Sequence, residues 1–193
     1  KIKLLGIAKS QNADVEIRVH PTLVPKNRLV ANVDGAMNAV LVHGNMVGPT
    51  LYYGAGAGAE PTASAVVADV IDIARQTKLS QDTLIPSLGF MPDKINEKNI
   101  LSIENIFSEY YLRFTMKNQA GLLAKITNIF ADHDISINSM VHKEVKENNQ
   151  NPDIFLITSK TKEADIDTII SEIELLPENT EKVVKIRTEE LNK

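Results

Sequence analysis

The order of periodicities between Tyr110 and Thr188 restricts the fold more than any other feature of this chain. YYLRFTM places Tyr110, Leu112, Phe114 and Met116 on one face, the pattern of a half-buried strand. NQAG makes a loop, and GLLAKITNIFADH then sets Leu122, Leu123, Ile126, Ile129 and Phe130 on one helical face. DISINSMVHKE alternates again at Ile135, Ile137, Ser139 and Val141, and KENNQNPD (146–153) is a polar turn. IFLITS reads as a buried strand, EADIDTIISEIELL carries Ile166, Ile169, Ile170 and Ile173 at helical spacing, and KVVKIRT is a last strand. Strand, helix, strand, strand, helix, strand in this order closes as an antiparallel sheet with two helices on one face.

That is the ferredoxin-like plan, and its two β-α-β halves are the internal repeat of the sequence. The expected class is α+β, with the plan occupying 109–193, a linker at 80–108 and a separate mixed-sheet region at 1–79. In the first region VEIRVHPTLVP alternates at Val15, Ile17 and Val19, a strand that enters a loop at its prolines. AMNAVLVHG (36–44) and PTLYYG (49–54) flank a turn at 45–48 and predict a hairpin. Pro61 suits the first turn of a helix, where its missing N–H is not needed. Ala63, Val66, Val67, Val70, Ile73 and Ala74 then repeat at helical spacing, so 61–76 is expected to be an amphipathic helix packed on a sheet. Asp69 and Asp72 lie largely off that stripe and read as solvated charges rather than a working carboxylate pair. Residues 80–108 mix Pro, Gly, Asp, Asn and Lys without a long period.

Composition excludes several classes. A net charge of −4 argues against nucleic acid, which usually meets a basic face. The chain has no cysteine, hence no disulfide, thiol nucleophile or cysteine metal site. The histidines at 20, 43, 133 and 142 lack metal-ligand spacing, so no metal site is expected. No apolar run approaches the ~20 residues of a membrane span, and a cytoplasmic setting is expected. The opening KIKLLGIAKS has no initiator methionine and reads as a piece of a longer protein, with a processed or disordered start as the alternative and a free-standing regulatory protein as a third reading.

The stretch YYGAGAGAEPTASAVVADV contains Gly54, Gly56 and Ala59, spaced as in the dinucleotide-binding pattern G-x-G-x-x-G/A. A strand precedes it and a helix follows. The rest of that unit is missing: about 20 residues on, where a second strand ending in an acid belongs, the chain is still helix or just leaving it. Two readings remain. The glycines form a packing turn, or they bring backbone close to a ligand whose anionic group meets the helix start. His20, at a strand end, reads as structural. In the loop Asn118-Gln119-Ala120-Gly121-Leu122-Leu123, Gly121 permits the turn and the helix start offers N–H groups to a small carboxylate. Asn118 either caps that helix or reaches a ligand amine.

KIKLLGIAK, EIRVHPTLVP and LVANVDGAMNAVLVHGNMVGPTLYYGAGAGAEPTASAVVADVIDIAR together resemble the closing part of the catalytic region of homoserine dehydrogenase. The elements R-V-H-P-T-L, N-V-D-G-x-M-N-A and G-A-G-x-x-P-T-A-S-A-V occur in that order over about residues 1–75. The second segment resembles an ACT domain, a β-α-β-β-α-β module with G-L-L or G-V-L after its first strand. The resemblance implies an enzyme that reduces aspartate semialdehyde to homoserine with NADH or NADPH. It makes Gly54, Gly56 and Gly58 cofactor neighbours, with Glu60 and Thr62 at the helix start beside them. The family's Rossmann fingerprint, catalytic lysine and substrate-binding acids precede the K-I-K-L-L-G element. Lys1 and Lys3 belong to that element, so no catalytic residue is assigned here. The chain alone is expected to be inactive and to hold no cofactor tightly.

For the ACT segment the resemblance implies a small amino-acid effector, threonine, giving feedback inhibition in threonine, methionine and isoleucine biosynthesis. Its contacts would be Asn118, Ala120, Gly121 and Leu122 of one domain, facing Ile137 and Asn138 of a partner's second strand. Homo-oligomers through the ACT domain and the catalytic-region sheet follow from the same likeness. The loop reads N-Q-A-G where many members have D-x-P-G, so Asn118 keeps the hydrogen-bonding capacity of Asp without its charge. The other reading of this segment is an ACT pair that dimerises and has lost its ligand.

Overall fold

The computed structural model describes residues 1–11, 14–78, 86, 88–142 and 151–191. In chain order its elements are β1 (Ile2–Gln11), β2 (Asp14–Leu23), β3 (Met37–Gly44), β4 (Gly48–Ala55), α1 (Ala59–Gln76), β5 (Phe107–Thr115), α2 (Leu122–Asp132), β6 (Ile137–His142), β7 (Asp153–Thr158), β8 (Thr161–Lys162), α3 (Glu163–Glu174) and β9 (Val184–Thr188). Contacts divide the chain into two compact units, one of residues 1–27 with 99–191 and one of 28–98.

The larger unit contains the expected βαββαβ order. Its sheet runs β1-β2-β9-β5-β7-β6, with β8 paired to β5. The last four strands of that path are antiparallel, with β5 between β7 and β9. Tyr110, Leu112, Phe114 and Met116 are fully buried with Ile126 and Phe130 of α2 and Ile166, Ile169 and Ile173 of α3. Burial of that many large apolar side chains, each worth about 1.5–3 kcal/mol, is what holds the helices on the sheet. Leu123, placed by periodicity on the buried face of α2, is instead 39% exposed. It stands in the helix's first turn, beside the loop rather than over the sheet. The polar turn read at 146–153 falls mostly outside the described residues.

The sheet crosses the divisions read from the sequence. β2 pairs in parallel with β9 through Thr22–Arg187 and Leu23–Thr188, and β1 pairs antiparallel with β2 along its whole length. β2 does not break at its prolines: Pro21 lies inside the strand opposite Leu4. The ladder with β9 begins only at Thr22, so Pro21 sits where β2 still has an open side and its missing N–H costs no bond there. Residues within the expected linker also join this unit. Asn99 and Leu101 bond the backbone of Val15, Ile106 is fully buried, and β5 already starts at Phe107.

The faces of β2 are the reverse of an ordinary amphipathic strand. Ile17 and Val19, on its apolar stripe, are 52% and 71% exposed, while Glu16, Arg18, His20 and Thr22 are buried. Register explains which face is which. Thr22 is level with Arg187, and Arg187 with Tyr110, so the polar residues share the helix side of the sheet.

The smaller unit is the predicted hairpin, β3 antiparallel to β4 with Met37 opposite Ala55 and Gly44 opposite Gly48, followed by α1. Gly48 closes the turn with φ 73°, a left-handed conformation that glycine adopts without cost. The helix forms as its stripe predicts, and Pro61 lies in its first turn. The expected packing on a sheet does not follow: Val66, Val67, Val70 and Ile73 are all more than half exposed and no residue of α1 is buried. Asp72 accepts a bond from Gln76 at 2.8 Å on an exposed face, consistent with a solvated charge.

Candidate functional site

Two of the three glycines before α1 have a physical reason within the chain, and the reasons differ. A Cβ on Gly56 would fall 1.5 Å from Asn38 Nδ2, so that glycine makes room for a side chain of β3, and its N–H bonds the Ala36 carbonyl at 3.3 Å. Gly58 is the N-cap of α1 with φ 135°, a backbone position closed to other residues. Gly54 meets nothing within 4 Å, so its lack of a side chain has no explanation within this chain. The α1 start has no side-chain cap, which leaves first-turn N–H groups open, and Glu60 lies in that turn. The Thr62 N–H bonds the Gly58 carbonyl at 3.2 Å. A backbone edge open at Gly54 beside an uncapped helix start fits the close approach of a nicotinamide cofactor. The Glu60 carboxylate takes up part of the anion-attracting capacity of the turn, so the turn suits a ribose or amide better than a phosphate.

The second candidate site lies at the start of α2. Gly121 is the helix N-cap, in the left-handed region at φ 83°, and no side chain caps the helix. Asn118 therefore does not perform the capping role open to it. The loop is fixed at its first residue by the Lys117 N–H bonding the Glu178 carbonyl at 2.8 Å, and the first turn by the Lys125–Glu178 ion pair at 2.5 Å. The loop and first turn border a cavity of about 190 Å³, walled among the described residues by Asn118, Gln119, Gly121, Leu122, Leu123, Ala124 and His142. Asn118, Gly121 and Leu122 of the predicted set thus meet in one cavity. Ala120, Ile137 and Asn138 are not among its walls. Ile137 packs against the core, and the Asn138 amide donates to the Thr158 carbonyl at 3.2 Å. His142, the cavity's contribution from β6, carries no signal in the sequence, because only the pairing of β6 with β7 brings that strand end to the loop.

A buried charged cluster, also unannounced by sequence, sits where β2, β5, β9 and α3 meet. Glu163 accepts from Tyr110 Oη at 2.8 Å, Lys185 Nζ at 2.6 Å, Arg187 Nε at 2.7 Å and Arg187 Nη2 at 2.5 Å. Burial alone would raise the Glu163 pKa, but the bonds from Arg187, Lys185 and Tyr110 overcome it and hold the carboxyl at about 2. Burial, with the Glu163 carboxylate beside it, pushes the Tyr110 phenol well above its ordinary value. Lys185 also pairs with Asp167, and Arg18 bridges Glu16 at 2.7 Å and Glu189 at 2.8 Å. His20 bonds Thr22 Oγ1 through Nδ1 at 3.0 Å, and burial lowers its pKa. Every acid in this cluster has a cationic partner within the fold, so the arrangement is a joint rather than an acid–base site. Among the described residues no group of three or more potential metal ligands occurs, and no helix is long and apolar enough to cross a membrane.

Comparison with known proteins matches these two parts separately. Residues 1–71 match the homoserine dehydrogenase family and residues 110–178 the ACT domain family. Homoserine dehydrogenase of Pseudomonas aeruginosa is 45% identical over 192 residues, covering 100% of this chain and 44% of that protein. The Bacillus subtilis enzyme is 32% identical over 172 residues, covering 89% of this chain and 39% of its own length. The crystal structure of a homoserine dehydrogenase from Thiobacillus denitrificans superposes with a TM-score of 0.90 at 50% identity, covering 100% of this chain and 43% of that one. The chain thus spans less than half the length of these relatives. It belongs to the homoserine dehydrogenase family, carrying a segment of that enzyme followed by an ACT domain.

Proposed function

We propose that this chain is the C-terminal part of a homoserine dehydrogenase that reduces L-aspartate 4-semialdehyde to L-homoserine with NAD(P)H, in the cytoplasmic route to threonine, methionine and isoleucine. Its ACT domain is the threonine sensor of that enzyme. The observation that carries the reading is the cavity at the Asn118–Ala124 loop, inside a βαββαβ domain joined to a homoserine dehydrogenase segment. NAD(P)H supplies the hydride when bound. The contribution of this chain is the backbone edge at Gly54, Gly56 and Gly58, with Glu60 and Thr62 opening α1 beside it. Asn38 fills the space in front of Gly56, fixing the edge that the cofactor would meet. Residues 1–79 serve the catalytic region, 80–108 link, and 109–193 regulate, in a homo-oligomer assembled through the ACT domain and the catalytic-region sheet. Ile137 and Asn138 act in a neighbouring copy's site. The 193 residues by themselves are expected to show no turnover.

Calorimetric titration of the chain with L-threonine, against L-methionine, L-isoleucine and L-homoserine, tests the sensor. Saturable binding of threonine alone is expected. Binding of none of the four would replace the sensor by a dimerising ACT pair without a ligand.

A further inference from the structure

The cavity beside α2 has walls of two kinds. Of the seven described residues that line it, six belong to one stretch, 118–124, and the seventh, His142, ends β6. The stretch can meet everything common to α-amino acids. Open N–H groups of the uncapped helix start face a carboxylate. The amide oxygens of Asn118 and Gln119 accept from an ammonium group. Leu122, Leu123 and Ala124 give carbon surface for a methyl group. Any small amino acid that carries a methyl group meets these features alike, so they do not separate threonine from valine.

His142 is the wall that stands apart from that stretch. Among the described residues no Asp, Glu, Lys or Arg lines the cavity, and His142 is the one ionisable side chain they bring to it. Among the described residues its ring makes no hydrogen bond. An imidazole offers a donor and an acceptor in either neutral tautomer, and a hydroxyl can satisfy either one. We infer that His142 is the specificity-determining residue of the ACT cavity, and that it selects an amino acid with a side-chain hydroxyl over an isosteric apolar one. This rests on the reading of the cavity as an effector site and says how that site tells threonine from valine, which differ by a hydroxyl for a methyl. A site with a polar group placed for a hydroxyl discriminates against the analogue without it, because the polar group is left without its partner.

The test is calorimetric titration of the 193-residue chain with L-threonine and with L-valine, in the wild type, in His142→Leu and in His142→Gln. The wild type is expected to prefer threonine by about tenfold, the size of one net hydrogen bond. His142→Leu should bring the two affinities level by weakening threonine, with valine unchanged, and His142→Gln should keep part of the preference. Since His142 is exposed, the variants should melt with the wild type. Undiminished threonine preference in His142→Leu overturns the inference while the effector reading stands. Equal wild-type affinity for the two ligands does the same. Binding of neither ligand by the wild type overturns the effector reading and this inference with it.

Discussion

Arg187 grips Glu163 with both ends of its guanidinium, Nε on one carboxylate oxygen at 2.7 Å and Nη2 on the other at 2.5 Å. This pair joins β9, the last strand of the ACT sheet, to the first residue of α3. Arg187 is also the residue that β2 meets at Thr22, so one side chain stands where the two family segments share a sheet. A two-bonded guanidinium–carboxylate pair fixes orientation as well as distance.

Replacing Glu163 by Gln keeps the shape and removes the charge. Arg187 and Lys185 then lose their shared anion inside the fold, at a cost of about 3 kcal/mol. Urea unfolding at neutral pH should show the midpoint falling accordingly, and Glu163→Gln should be no better than Glu163→Ala by more than a fraction of that. A midpoint within error of wild type would mean that the pair contributes nothing net.

The same carboxylate gives an acid limb to stability. Its pKa is held at about 2 in the folded chain against an ordinary value of 4.5, so the unfolded chain binds the proton first. The stabilisation is complete above about pH 4.5 and is lost as pH falls towards 2, by an amount of about 2–3 kcal/mol. Comparing the pH dependence of unfolding in the wild type and Glu163→Gln isolates it: the variant's curve should be flatter across that window.

His20 should give a second, milder slope nearer neutrality. Burial, with Arg187 and Arg18 nearby, depresses its pKa below 6.5, and the Pro21 carbonyl and Glu163 only partly oppose this. Its stabilising contribution is therefore full above about pH 6.5 and declines as pH falls towards the lower folded value. NMR titration of the His20 ring should find that lower value, and His20→Asn should remove the corresponding slope from the stability curve.

The glycines before α1 predict a graded series. Gly54→Ala should leave stability within about 0.5 kcal/mol, since its side has open space. Gly58→Ala should cost about 1–3 kcal/mol, because φ 135° is closed to a side chain. Gly56→Ala should cost about 1 kcal/mol by displacing the exposed Asn38 amide, and Asn38→Ala should recover most of it. Thermal melts of the four single variants and the Asn38/Gly56 double variant measure all of these terms.

At the ACT cavity, stability and binding should separate. Gly121→Ala forces a side chain into the left-handed region and should cost about 1–2 kcal/mol of stability. Asn118→Ala removes a wall residue that caps nothing, so its melting temperature should match wild type while threonine affinity falls. Equal affinity in Asn118→Ala would remove that residue from the site.

Within the ACT segment the sequence by itself determined the order of elements and most of the core, because Tyr110, Leu112, Phe114, Ile126, Ile166 and Ile169 repeat at the periods that bury them. It also determined the β3–β4 hairpin and the helix after the glycines, whose signals are local turn chemistry and a local stripe. Only the tertiary structure decided which face of β2 is buried. Alternation says that Val15, Ile17 and Val19 share a side, but the register of β2 on β9 puts Glu16, Arg18, His20 and Thr22 on the helix side of the sheet, where they are buried. The charged joint around Glu163 and the arrival of His142 at the Asn118–Ala124 loop were beyond sequence for the same reason. Each depends on strands far apart in the chain lying side by side, and periodicity within a strand carries no information about its neighbour.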